Sequence, residues 1–213
     1  SEVILCNKLP SCNQAFIGRK DEIKAIASHL SNQSVLFITG MAGIGKSEVA
    51  KAYAQTNRKK YTNIIYLYYT GDLRKDIANL TFADDSVEMN EEVRFQNHYK
   101  VMQRLHTDTL LILDNFNVLP KDEPFLKELM KNDMQLLITS RCKLKNYDSI
   151  EIKELDKEKE LTELFYKHCP SAKRDPDSVS AIIEEVNCHT LTVCMAALTL
   201  EASGMEPEEL LQE

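Results

Sequence analysis

No stretch of the sequence approaches the roughly 20 consecutive apolar residues that cross a bilayer, which excludes a membrane span. The first ten residues, SEVILCNKLP, lack the basic-then-apolar build of a secretory leader, and the missing initiator Met points to processing or an excised fragment. Basic residues are in the minority: 26 Lys and Arg against 33 Asp and Glu give a net charge of -7. A nucleic-acid binder ordinarily presents a basic face to the phosphate backbone. The clusters Arg58-Lys59-Lys60 and Arg141, Lys143, Lys145 read instead as solvated helix ends and loops, so binding of DNA or RNA by this segment is disfavoured. The six cysteines form no CxxC pair, and His168-Cys169 with Cys188-His189 matches no familiar zinc spacing. Reduced thiols in a cytoplasmic protein are expected.

What is present is an ordinary soluble composition, 43% hydrophobic and 28% charged over 213 residues. That length buries one core, or one core with a small satellite domain. Residues 1–18 read as an extended lead-in around Pro10. Ile23, Ile26, Ala27 and Leu30 recur at helical spacing over 21–30. Short apolar runs without interior charge occur at 34–39, 63–69, 109–113 and 134–139, and SIEI at 149–152 reads as a short fifth strand. Between them, 46–56, 73–80, 91–105 and 123–130 carry helical patterns, and an acidic stretch with Asp84 and Asp85 reads as loop. Strands of this kind alternating with helices predict a parallel sheet covered on both faces. From 157 onward only helical periodicities remain, for example Leu161, Leu164 and Phe165, then Val179, Ile182, Ile183 and Val186, then Leu191, Met195 and Leu198. The fold expected is α/β: a parallel sheet with helices on both faces over 1–154, followed by a small all-α lid of about four helices over 155–213.

The most specific signal is Gly-Met-Ala-Gly-Ile-Gly-Lys-Ser at 40–47, which satisfies G-x-x-x-x-G-K-[ST]. Glycines let the backbone fold so tightly that its N–H groups converge on a phosphate. Lys46 offers a charge to the β- and γ-phosphates and Ser47 a hydroxyl ligand to Mg2+, at the start of a helix whose dipole favours the same anion. The loop follows an apolar strand and precedes an amphipathic helix, as this chemistry requires. The run LLILD at 110–114 delivers Asp114 to a strand end, where a carboxylate holds Mg2+, usually through water; the plainer reading is a turn begun with Asn115. Arg141 closes the fourth strand at the same edge, within reach of a γ-phosphate; the plainer reading is a solvated arginine.

Taken together these residues resemble the NB-ARC branch of the STAND ATPases. Leu9-Pro10, Phe16-Ile17-Gly18-Arg19, GMAGIGKS, LLILDN, LLITSR and HTLTV at 189–193 come in that family's order and span about residues 9–205. The resemblance implies that Phe16, Ile17, Gly18 and Arg19 wrap the adenine and ribose of ATP or ADP. It also makes Arg141 the γ-phosphate sensor. Nucleotide contacts are then expected from those four residues, from Met41, Ala42, Gly43, Ile44, Gly45, Lys46, Ser47 and Glu48, and from Leu191 and Thr192. Catalysis would rest on Lys46, Asp114 and Arg141, and Mg2+ on Ser47 and Asp114. Two positions depart from the family. Thr192 stands where it often has the proline of its GLPL motif, and Asn115 where many relatives carry a second acidic residue that activates water.

A switch module with slow or absent hydrolysis is therefore expected, with adenine nucleotide as ligand. Further domains of a longer chain, and self-association on activation, are implied as its partners. The alternative is an AAA-type mechanical or DNA-handling ATPase, which would ordinarily carry Asp-Glu at 114 and 115 and a basic face.

Overall fold

The apolar runs become five strands, all parallel. The computed structural model describes residues 9–12, 18–83, 85–86 and 89–212. The described residues form two units: those of Ser1–Ser11, Asp21–Gly40 and Lys46–Glu151, and separately those of Cys12–Lys20, Met41–Gly45 and Ile152–Glu213.

In the first unit, α1 (Lys20–Leu30), β1 (Val35–Thr39), α2 (Lys46–Thr56), β2 (Asn63–Tyr68), α3 (Leu73–Ala78), α4 (Glu91–Met102), β3 (Thr109–Asp114), α5 (Pro124–Leu129), β4 (Gln135–Ser140) and β5 (Ser149–Glu151) follow in order. The sheet runs β2-β3-β4-β1-β5. β3 and β4 are buried at every position, which is why their sequences show no alternation; a parallel strand covered on both faces has no wet side. One face carries Phe37, Ile65, Leu67, Leu111, Leu113, Leu136 and Ile138, packed with Leu73 and Ile77 of α3, Phe95 and Met102 of α4, and Leu126 and Leu129 of α5. The alternate residues Leu36, Ile38, Leu110, Ile112 and Leu137 are equally buried, as are Ile26 and Leu30 of α1 and Val49, Ala50 and Tyr53 of α2.

Local chemistry sets the helix ends. Asp72 caps α3 by accepting from Lys75 N at 3.1 Å, and Asn90 caps α4 by accepting from Val93 N at 2.9 Å. Pro124 opens α5 at a position that needs no N–H. Several elements stop short of their periodic patterns. α3 ends at Ala78 and α4 at Met102, and Leu80 and Leu105 are buried from the turns that follow. β5 ends at Glu151, leaving Ile152 buried just beyond the strand. Residues 9–12 and Gly18 carry neither helix nor strand; the rest of the lead-in and Asp84 lie outside the described residues.

The second unit is helical: α6 (Thr162–His168), preceded by a π-turn at Lys157–Leu161, then α7 (Pro176–Glu185), α8 (Thr190–Ser203) and α9 (Pro207–Leu210). Its core gathers Leu161, Leu164, Phe165, Val179, Ile182, Ile183, Val193, Ala197 and Leu200. Asp175 caps α7 through Ser178 N, and Gly204 ends α8 in the left-handed conformation. The helical spacing of Leu191, Met195 and Leu198 does fall on a helix, but α8 is largely apolar and its core face is another: Val193, Ala197 and Leu200 are buried, while Leu191, Met195 and Leu198 are exposed at 50, 59 and 50%. Among the described residues no helix is long and apolar enough to cross a membrane.

Candidate functional site

The register of the sheet decides which residues meet at its carboxyl edge. Thr39 pairs with Ser140, Tyr68 with Asp114 and Leu113 with Ile138, so β1, β2, β3 and β4 end at one edge. Asp114 is 3% exposed and accepts from three hydroxyls. Ser47 Oγ donates to its Oδ1 at 2.7 Å, Thr139 Oγ1 donates to the same oxygen, and Tyr66 donates to Oδ2 at 2.5 Å. A carboxylate taken out of water needs this many donors to be satisfied. Burial and the bond to Asp114 push the Tyr66 hydroxyl well above its ordinary value, so it stays a donor.

Lys46 opens α2 beside this carboxylate. It is buried, and its Nζ donates to Gly40 O at 3.0 Å. Burial first, and then the positive charge of Arg141, hold its ammonium below the ordinary lysine value, while Asp114 pulls the other way. An added anion would favour the charged form at this spot. Arg141 is itself exposed, its backbone N–H donating to Asn117 Oδ1 at 3.0 Å. Glu48 pairs with Lys51.

Asn115 adopts a left-handed backbone with φ 65°, a conformation Asn tolerates better than most residues. Its N–H donates to Thr139 Oγ1 at 2.9 Å, its Nδ2 lies 3.5 Å from Tyr69 O, and its Oδ1 accepts from Asn117 Nδ2 at 2.5 Å. The amide at 115 is thus used up in the turn that leaves β3.

In the helical unit the segment Met41–Gly45 is held by its own neighbours. Arg19, buried with φ 62°, donates from Nη2 to Ile44 O at 3.3 Å. His189 Nε2 lies 2.7 Å from Ala42 O, and its Nδ1 lies 3.1 Å from Thr192 Oγ1. Gly43 has φ 72°, and a Cβ there would come within 2.7 Å of His189 Cε1 and 3.0 Å of Leu191 Cβ. Gly45 has φ 104°, but a Cβ there would meet nothing within 4 Å, so open space lies before it. Gly18 packs against Glu160 and Leu155, and Met41 is 61% exposed. Phe16 and Ile17 lie outside the described residues.

The sheet unit therefore brings together Lys46, Ser47, Asp114 and, by its charge, Arg141. The helical unit brings together Arg19, Ala42, Gly43, Ile44, Leu191 and Thr192. Sequence reasoning missed Tyr66, Thr139 as a donor to Asp114, and His189. Tyr66 is one aromatic among four tyrosines in 61–69, and only the strand register singles it out.

The donor set fits Mg2+ and a nucleotide. A serine hydroxyl and a carboxylate are hard oxygen ligands of the number Mg2+ takes from protein beside phosphate and water. The buried ammonium of Lys46 suits a phosphate. Bound Mg2+ would neutralise charge on the phosphates.

Residues 28–146, more than half of the sequence, match the AAA domain family. The chain belongs to this family of P-loop ATPase domains. No match is found among curated proteins. Among solved structures, a Walker-type ATPase of Pyrococcus abyssi superposes with a TM-score of 0.68 at 10% identity, over 94% of this chain and 72% of that one. AMPPCP-bound DnaA from Aquifex aeolicus gives 0.59 at 18% identity, over 92% of this chain and 66% of its own. A signal transduction ATPase with numerous domains (STAND) and a tetratricopeptide repeat sensor, from Pyrococcus horikoshii, gives 0.55 at 20% identity over 86% of this chain. This chain spans only 30% of that protein. At such identities the likeness is one of fold.

Proposed function

We propose that this chain is the nucleotide-binding switch of a signal-transduction ATPase of the STAND/NB-ARC kind. It binds ATP or ADP with Mg2+, hydrolyses slowly or not at all, and changes domain closure or self-association with the nucleotide held. The observation that carries the nucleotide reading is the buried Lys46 beside the hydroxyl-satisfied pair Ser47–Asp114. Lys46 and Arg141 would meet the phosphates, Ser47 and Asp114 the Mg2+. Phe16 to Arg19, the loop from Met41 to Glu48, and Leu191 with Thr192 would enclose the rest. Residues 1–154 would act as the nucleotide domain and 155–213 as its lid, in a cytoplasmic protein with further domains.

The switch reading draws its support from Asn115. An amide takes no proton from water at neutral pH, and general-base assistance is worth a hundredfold or more, on the order of that factor in rate. Asn115→Asp is expected to raise steady-state ATP turnover at least about tenfold. Unchanged turnover in that variant would remove this explanation of slow hydrolysis.

A DNA-handling AAA ATPase is the second reading, favoured by the comparable superposition on DnaA. A net charge of -7 weighs against it. The deciding experiment is acid release of nucleotide from the purified protein, with chromatography and a salt titration of duplex DNA binding. Near-stoichiometric ADP without DNA binding supports the switch; salt-dependent DNA binding supports the rival. A protein that neither carries nor binds Mg-ADP or Mg-ATP defeats both.

A further inference from the structure

The loop at 41–45 is gripped through its carbonyls, and this decides where its amides point. In a trans peptide the C=O and N–H of one unit point in opposite directions, and no described peptide bond is cis. Ala42 O is bound by His189 and Ile44 O by Arg19. The N–H groups of Gly43 and Gly45, which share those two peptide units, therefore face away from His189 and Arg19. Both glycines have the left-handed backbone that makes successive amides converge into an anion-binding concavity.

We infer that His189 is a positioning residue for phosphate binding, clipping Ala42 O from behind so that the Gly43 amide is aimed at the anion before the ligand arrives. Arg19 does the same for Gly45 through Ile44 O. The inference rests on reading the loop as a phosphate site. A carbonyl only accepts, so His189 must carry its proton on Nε2 toward Ala42. Nδ1 is left for the Thr192 hydroxyl at 3.1 Å, which orients the ring. A proline at 192 has no hydroxyl and could not make this bond. Gly43 records the same contact: with His189 Cε1 2.7 Å from where its Cβ would stand, no other residue leaves room for the clip.

The test uses the 213-residue chain and two readouts: release of a fluorescent ADP analogue with Mg2+ by stopped flow, and the backbone amide resonances of Gly43 and Gly45 in the ligand-free protein. His189→Ala removes one hydrogen bond and is expected to speed release about tenfold. The same variant should broaden or multiply the two glycine resonances. His189→Gln, which can extend an amide N–H toward Ala42 O, is expected to restore both readouts to near wild type. Thr192→Val should speed release about threefold, by loosening the ring and leaving the clip itself. Unchanged release and unchanged glycine resonances in His189→Ala overturn the inference, and so does His189→Gln behaving like His189→Ala. If the wild type fails to bind the analogue while the glycine resonances still respond to His189→Ala and recover in His189→Gln, the clip stands and the nucleotide reading falls.

Discussion

The same strands end in two buried polar networks of opposite character. At the carboxyl edge, Ser47, Thr139 and Tyr66 surround the charge of Asp114, with the ammonium of Lys46 and the guanidinium of Arg141 close enough to oppose one another. At the amino edge, Tyr53, Tyr61 and Gln135 form a neutral chain that ends on Leu30 O. In the neutral chain each proton has one place to go. Gln135 Nε2 donates to Leu30 O, so its Oε1 accepts from Tyr61, and Tyr53 must then donate to Tyr61. The neutral network is closed and serves the fold. The charged one holds two like charges near each other, a cost that Asp114 offsets in part and an anionic ligand would offset further.

The largest expected effect separates the two edges by removing Lys46. Its ammonium is held below the ordinary lysine value, so the charged form is less welcome in the folded than in the unfolded chain. That penalty applies at all pH below the folded value and fades as pH rises through it to the unfolded one. Lys46→Ala should therefore weaken Mg-ADP about a hundredfold, the worth of a lost charge-assisted contact. The melting temperature of the ligand-free protein should stay level or rise. A variant that binds as before, or a ligand-free protein that melts well below wild type, would break the contrast.

Gln135→Leu probes the other edge. It orphans the Tyr61 hydroxyl and Leu30 O in a buried place, at a cost of about 2–3 kcal/mol. Urea unfolding should record that loss, while Mg-ADP affinity, read by calorimetry, stays within about twofold because the sites are distant. A matching loss of affinity would mean that the two edges are energetically one.

Much of the sheet could be read from sequence because buried parallel strands advertise themselves: TLLIL and MQLLIT have no wet face to encode. The phosphate loop was legible for a related reason, since few residue types satisfy its backbone. The partners of Asp114 were not legible. Tyr66 and Thr139 reach it from β2 and β4, and only strand order and register bring them there. In α8 the helix was legible but not its buried face, because a largely apolar helix carries little phase: Leu191, Met195 and Leu198 keep helical spacing yet are exposed. His189 was hidden by distance along the chain, 147 residues from Ala42, with no spacing rule to link them. Asn115 was recognised as a departure, but its left-handed turn, the local reason an amide suits that position, belongs to backbone geometry alone.

The smallest expected effect sharpens the neutral network by its pH dependence. Burial is the main cause that raises the hydroxyls of both Tyr53 and Tyr61 above the ordinary tyrosine value. A raised folded value means stability is fully present below the unfolded value, about 10, and is lost as pH climbs through it. Tyr61→Phe gives up about 1 kcal/mol at neutral pH. It also removes one of the groups that the folded state keeps protonated, so its urea midpoint should fall less steeply than that of wild type between about pH 9 and 11. The slope should shrink without vanishing, because Tyr66 is raised as well and Tyr69, through burial and its bond to Glu123, is pushed up to about 12. The two curves should converge in alkali. Parallel curves would mean that Tyr61 titrates alike in both states and that the amino-edge chain does not hold its proton.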